Sequence, residues 1–206
     1  PRVVLIPEVK TLIQSLARLL GETRPVTRAT VDRVLDAFPD RAFREYLRAI
    51  TRMTVSPNFI QGGLKTNIVP DSCQADVDIR VLPGQDKEYV VGEMRKTIGS
   101  ALEMDIPDFH GASFSPSDSE GYRLIEQTIG AVLGDVVCLP CMSSGATDSR
   151  FLRKAGIPAY GIAVWAREFD PSLRQTMHGR NERIDTRSLA VQTDFLVRLA
   201  RAYLGS

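Results

Sequence analysis

His178 is one of only two histidines among 206 residues. It stands in Met177-His178-Gly179-Arg180-Asn181-Glu182, a glycine-flanked stretch just ahead of the last helical pattern. A neutral imidazole nitrogen can bind a metal or exchange a proton with a substrate, and a loop can present it to a cleft. A lone histidine more often caps or packs, because a metal needs several ligands. Arg80 is the second candidate. Cys73, Ala75, Val77, Ile79 and Val81 share one face of a strand, and Gln74, Asp76, Asp78 and Arg80 share the other. From that polar face a guanidinium can hold a carboxylate through two parallel bonds, or it can pair with Asp78. Asn67, between a double glycine and Pro70, could donate to a substrate or simply make a turn. In Ser143-Ser144-Gly145-Ala146-Thr147-Asp148-Ser149, Gly145, Thr147 and nearby backbone N–H groups precede a helix, which suits an anion; the alternative is close packing. No Walker or dinucleotide glycine pattern is present, which favours carboxylate over phosphate.

Other candidates are weaker. Cys138-Leu-Pro-Cys141 has redox or zinc spacing but no second pair, and two packed thiols are expected. His110, beside Asp108 and Phe109, is expected to be structural. No Gly-x-Ser-x-Gly elbow supports a serine triad. The 26 Lys and Arg residues nearly balance the 25 acids, so nothing asks for nucleic acid or a membrane surface. No apolar run has the length of a membrane span, and no secretory signal is visible. With three scattered cysteines, this points to the cytoplasm.

The elements that must position these residues read as follows. Apolar spacing predicts helices from Val9 to Leu20, from Val31 to Phe38, and from an Asp40 cap through Ile50. Met53, Val55, Pro57 and Phe59 alternate with Thr54, Ser56, Asn58 and Ile60 in a strand, and the strand bearing Arg80 follows. Asp86 opens a helix reaching Leu102, and residues 105–116 are expected to hold a strand and a link. A new rhythm begins with helix Tyr122–Leu133, strand Val136–Val137, helix Arg150–Lys154 and a buried strand, Ile157–Val164. The loop 165–184 carries His178, and Asp185 caps the final helix. The boundary is placed to give domains 1–115 and 116–206.

Taken together, the motifs resemble a known family. Thr54-Val-Ser-Pro-Asn58, Gly62-Gly63, Thr66-Asn67-Ile-Val-Pro-Asp71 and Val77-Asp78-Ile79-Arg80-Val-Leu-Pro-Gly84 resemble the lid, or dimerisation, domain of the zinc-dependent aminoacylases and carboxypeptidases. Succinyl-diaminopimelate desuccinylase, acetylornithine deacetylase, carboxypeptidase G and carboxypeptidase S belong to that family. Gly145-Ala-Thr-Asp-Ser-Arg150-Phe, Gly156-Ile-Pro-Ala-Tyr-Gly161 and His178-Gly-Arg-Asn-Glu182 resemble the C-terminal part of its catalytic domain. Order and spacing agree over residues 8–204, and the insert at 27–50 is most similar to the branch acting on N-acyl amino acids and peptide C-termini.

The resemblance implies an α/β protein. Residues 1–115 would be a ferredoxin-like lid of antiparallel sheet and helices lacking its first strand, and 116–206 the C-terminal part of an α/β zinc-peptidase domain. His178 would be the last zinc ligand. Asn67 and Arg80 would grip the substrate's carboxylate and polarised carbonyl, with Gly145 and Thr147 lining the same carboxylate pocket. The substrate would be a small molecule or peptide with a free carboxylate, and the lid would make a homodimer. In the family, two zinc ions lower the pKa of a shared water, a glutamate takes its proton, and the hydroxide attacks an amide carbonyl. The family's His-x-Asp motif, its Glu-Glu pair and the lid's own histidine have no counterpart here. The expectation is a fragment of a metal-dependent amidohydrolase with no catalytic residue of its own, weak or absent zinc binding, and no turnover alone. The alternative is a non-catalytic dimerisation or ligand-binding module derived from that family.

Overall fold

Helices in this chain start where short polar side chains can cap them. Asp40, Asp86, Ser119 and Asp185 have extended backbone and accept from the N–H groups of Phe43, Tyr89, Tyr122, and Arg187 and Ser188. Each bond satisfies a donor that the first helical turn leaves orphaned. In the computed structural model, which describes residues 1–205, the order is α1 (Pro7–Leu19), α2 (Val31–Leu35), α3 (Arg41–Ala49), β1 (Thr54–Gly62), β2 (Cys73–Arg80) and α4 (Lys87–Ile98). Then come α5 (Glu120–Leu133), α6 (Ser149–Lys154), a 3₁₀ helix (Pro171–Thr176) and α7 (Thr186–Leu204). This mix of helices with an antiparallel sheet is of the α/β class expected.

The cap of α7 yields a pH prediction. The Ser188 hydroxyl donates to Asp185 at 2.7 Å, and this bond foremost holds the Asp185 carboxyl below the usual carboxylate range. A depressed carboxylate contributes stability above its unfolded pKa and loses it as pH falls through the folded one. The cap should therefore hold at neutral pH and fail below about pH 4. Asp185→Asn should remove that part of the acid sensitivity in far-UV circular dichroism; an unchanged acid limb would exclude the assignment.

The chain divides into two compact units, Pro1–Phe114 with Pro140–Thr147, and Ser115–Leu139 with Asp148–Ser206. In the first, α2 contacts both α1 and α3, and Ile13, Leu35, Leu47 and Ile50 are fully buried. Tyr46 of α3 donates to the carbonyl of Met142 at 2.7 Å, which ties the 140–147 segment to this unit. Burial pushes the Tyr46 hydroxyl up to about 12, so it stays a donor at any ordinary pH.

β1 and β2 form an antiparallel hairpin in which Thr54 faces Arg80 and Gly62 faces Cys73. The register shifts by one residue between Pro57 and Phe59, leaving Asn58 as a bulge. Strict alternation would put Phe59 beside Val55 and Pro57. The bulge instead sets Phe59 opposite Asp76 and Ile60 opposite Ala75. Ile60 thus joins Val55, Pro57, Ala75 and Val77 on the apolar face.

The second unit packs α5 on α7 around Ile125, Val164 and Phe195. Four expected features take another form. α4 stops at Ile98 rather than Leu102, because Gly99 turns to φ 67° and Arg95 Nη1 bonds the carbonyls of Gly99 and Leu102. Among the described residues, no strand forms at 105–116 or at Val136–Val137. Ile157–Val164 forms no strand either, although Ala159 and Val164 are buried as expected. Side chains replace a ladder there: Ser115 Oγ accepts from Ala159 N at 2.9 Å and Gln192 Oε1 from Val164 N at 2.6 Å. Just beyond, Ser188 Oγ accepts from Ala166 N at 3.0 Å. Among the described residues, no helix is long and apolar enough to cross a membrane.

Candidate functional site

Arg80 ends β2 on its polar face, opposite Thr54. Its Nη2 and Nε donate to Asp78 Oδ2 at 2.6 and 3.1 Å. The arginine side chain is 52% exposed and the aspartate 39%, so the pair is solvated and worth little by itself. An incoming carboxylate can take the place of Asp78 at small cost. Arg80 is thus partnered by the residue that the sequence offers as the alternative.

Asn67 lies in the connection between the two strands, in a turn where Ile68 N donates to Lys65 O at 3.2 Å. That connection leaves the sheet at the Gly62–Cys73 end, whereas Arg80 is at the other end. The span from Cys73 to Arg80 is seven residue steps, roughly 23 Å at about 3.3 Å per residue.

Gly145 and Thr147 are exposed and precede Asp148, the residue before α6. The Gly145 N–H donates to Ser143 Oγ at 3.1 Å, and the Ser143 hydroxyl reaches the Gly145 carbonyl at 3.3 Å. A self-closed turn therefore holds the N–H that the sequence suggests for an anion. At six residues, α6 is short and lacks a side-chain cap.

His178 follows the 3₁₀ helix in an exposed turn, with φ 62°. The approach to it is braced. Trp165 and Phe169 lie 4.2 Å apart between ring centroids, and the Arg174 guanidinium stands over both, at 5.2 and 5.9 Å. Asp170 caps the 3₁₀ helix, accepting from Ser172 N at 2.9 Å and Ser172 Oγ at 2.8 Å. These bonds, the backbone one foremost, hold its carboxyl below the ordinary range. Beyond His178, Arg180, Asn181, Glu182 and Arg183 line an open depression. His110 is exposed, with Nε2 3.3 Å from Asp108 Oδ1. No disulfide joins the cysteines; Cys138 is half-buried, with its sulfur 3.9 Å from the Tyr122 hydroxyl, while Cys141 is exposed rather than packed.

Among the described residues, no group of three or more His, Cys, Asp or Glu side chains is placed to hold a metal ion. A hydrolytic zinc needs about three protein ligands and an open position. The described residues offer His178 as a single candidate and do not by themselves fit a complete metal centre.

Residues 10–105 match the M20 peptidase dimerisation domain. The chain belongs to the M20 aminoacylase and carboxypeptidase family. It is 32% identical over 160 residues to the human (Homo sapiens) N-fatty-acyl-amino acid synthase/hydrolase PM20D1, covering 73% of this chain and 31% of that protein. It is 24% identical over 174 residues to a probable carboxypeptidase S-like 2 of Dictyostelium discoideum, covering 83% of this chain and 32% of that one. The chain thus spans about a third of the length of these relatives. In fold it is similar to an M20 family metallo-carboxypeptidase from Sulfolobus solfataricus, with a TM-score of 0.53 at 17% identity, over 96% of this chain and 45% of that one.

Proposed function

We propose that this chain is the lid and part of the catalytic domain of an amidohydrolase that cleaves N-acyl amino acids or C-terminal peptide bonds. The observation that carries this reading is Arg80. It is an exposed guanidinium on the polar face of the dimerisation domain's hairpin, balanced only by a solvated aspartate. Such a group selects substrates with a free carboxylate. The distance along β2 divides the work: Arg80 takes the carboxylate, and Asn67 meets a different group or a different copy of the site. His178 contributes one metal ligand to a centre whose other ligands are not among the described residues. This chain alone is accordingly proposed not to turn over substrate, a reading supported by the lack of a ligand cluster among the described residues and of His-x-Asp and Glu-Glu motifs in the sequence.

The test is hydrolysis of N-acyl amino acids and short peptides by the purified chain with added zinc, alone and joined to a segment carrying those motifs. No turnover alone and turnover when joined, lost in His178→Ala, is the expected pattern. Enzyme-like turnover by the chain alone, abolished in His178→Ala, would overturn the division of labour. A joined protein inert toward all such amides would overturn the reaction class.

The dimerisation domain also supports self-association, and each hairpin strand has a free edge that can template another chain. Light scattering at high micromolar concentration should give twice the monomer mass. A monomer there would count against pairing through the lid.

A further inference from the structure

We infer that Thr176 is a positioning residue for His178, fixing the backbone conformation from which the imidazole is presented. The inference rests on the reading of His178 as a ligand-bearing residue. Met177 has φ −59° and ψ 130°, His178 has φ 62°, and Gly179 N donates to Thr176 O at 2.9 Å. Together these make residues 176–179 a type II turn, whose third position favours glycine or asparagine. Histidine occupies it, and it is the only non-glycine residue at positive φ among those described.

The glycine stands one place later, for a different reason. A Cβ on Gly179 would lie 3.0 Å from the Thr176 carbonyl oxygen, so any side chain there would press on the carbonyl that closes the turn. A strained residue persists only where its surroundings over-determine it. Thr176 supplies that constraint three times. Its carbonyl closes the turn, its Oγ1 donates to Leu173 O at 2.7 Å, and the same oxygen accepts from Arg183 N at 3.1 Å. The end of the 3₁₀ helix is thereby tied to the chain beyond the turn, with His178 held between the two anchor points. Thr176→Val keeps the shape but loses both side-chain bonds, whereas Thr176→Ser keeps both.

A mutant cycle on the whole chain tests this. His178→Gly relieves the strained position and should raise Tm by about 2–4 °C in the native background, the shift that relief of one mild backbone strain produces in a chain of this size. The gain should persist in Thr176→Ser and fall below half in Thr176→Val. In the same variants, the NMR signal of the His178 Cε1 proton should be unchanged with serine and averaged toward the random-coil position with valine. An equal Tm gain in all three backgrounds, with the His178 signal unmoved in Thr176→Val, would overturn the inference. If Thr176→Val does not fold, amide exchange of the native chain decides. Arg183 and Gly179 should be protected at least about tenfold relative to Asn181, and the absence of that protection would overturn it. If the cycle behaves as expected but His178→Ala retains as much zinc as the native sequence in the joined protein, the ligand reading fails and the positioning stands.

Discussion

Phe195→Ala is expected to lower the unfolding free energy of the second unit by about 3–5 kcal/mol. The ring is fully buried, with Ile125 and Val164 buried beside it. Ile129, Val132 and Leu133 of α5, Val191 and Leu199 of α7, and Tyr160 and Ile162 pack against that cluster. Removing the ring loses its transfer energy and leaves a cavity lined by several elements, which cannot all collapse into it. Total stability of such domains is about 5–15 kcal/mol, so the loss brings this unit close to unfolding at ambient temperature. Urea unfolding followed by circular dichroism measures it. Leu196→Ala, next in sequence but 49% exposed, is the matched control and should cost about 1 kcal/mol or less. A loss at Phe195 no larger than at Leu196 would mean that the ring is not enclosed.

The second large effect is catalytic. In the joined protein, Arg80→Ala should reduce kcat/KM for carboxylate-bearing amides by at least ~2 kcal/mol in transition-state terms, the scale of losing a charge-assisted bond. Amides lacking the carboxylate should change far less, which separates loss of anion recognition from general damage. Asp78→Asn is informative alongside it. The Arg80–Asp78 pair is solvated, so neutralising Asp78 should leave folding nearly intact while freeing the guanidinium. Unchanged kcat/KM in Arg80→Ala would end its assignment as the carboxylate clamp.

Much of this was legible in the residues themselves. Asp40, Asp86 and Asp185 announce helix starts because capping is local, needing one side chain and an N–H two or three positions away. The polar and apolar faces of β2 were readable for the same reason, being set by its own period of two. What escaped depends on partners distant in sequence. Nothing near Ile157–Val164 shows that Ser115 and Gln192 will bind its backbone in place of a neighbouring strand. The opposite-end placement of Asn67 and Arg80 is a matter of pairing register, and linear spacing conceals it. Thr176 carries no motif, and its role appears only once Leu173 and Arg183 are seen to meet at its hydroxyl.

The bulge at Asn58 makes the hairpin's two-faced character a matter of parity. Deleting that single residue while keeping the pairing from Thr54 to Pro57 would leave Phe59 on the polar side and Ile60 on the apolar one, because plain alternation then does what the bulge does now. Removing Asn58 together with Phe59 would instead send Ile60 to the polar side, whereas any change within 63–72 would leave the sidedness untouched, since those residues lie outside the ladder. Length variation that the protein tolerates should therefore include loss of Asn58 alone inside β1 and any step within its connection. A library of insertions and deletions sorted for folded protein would show that pattern directly.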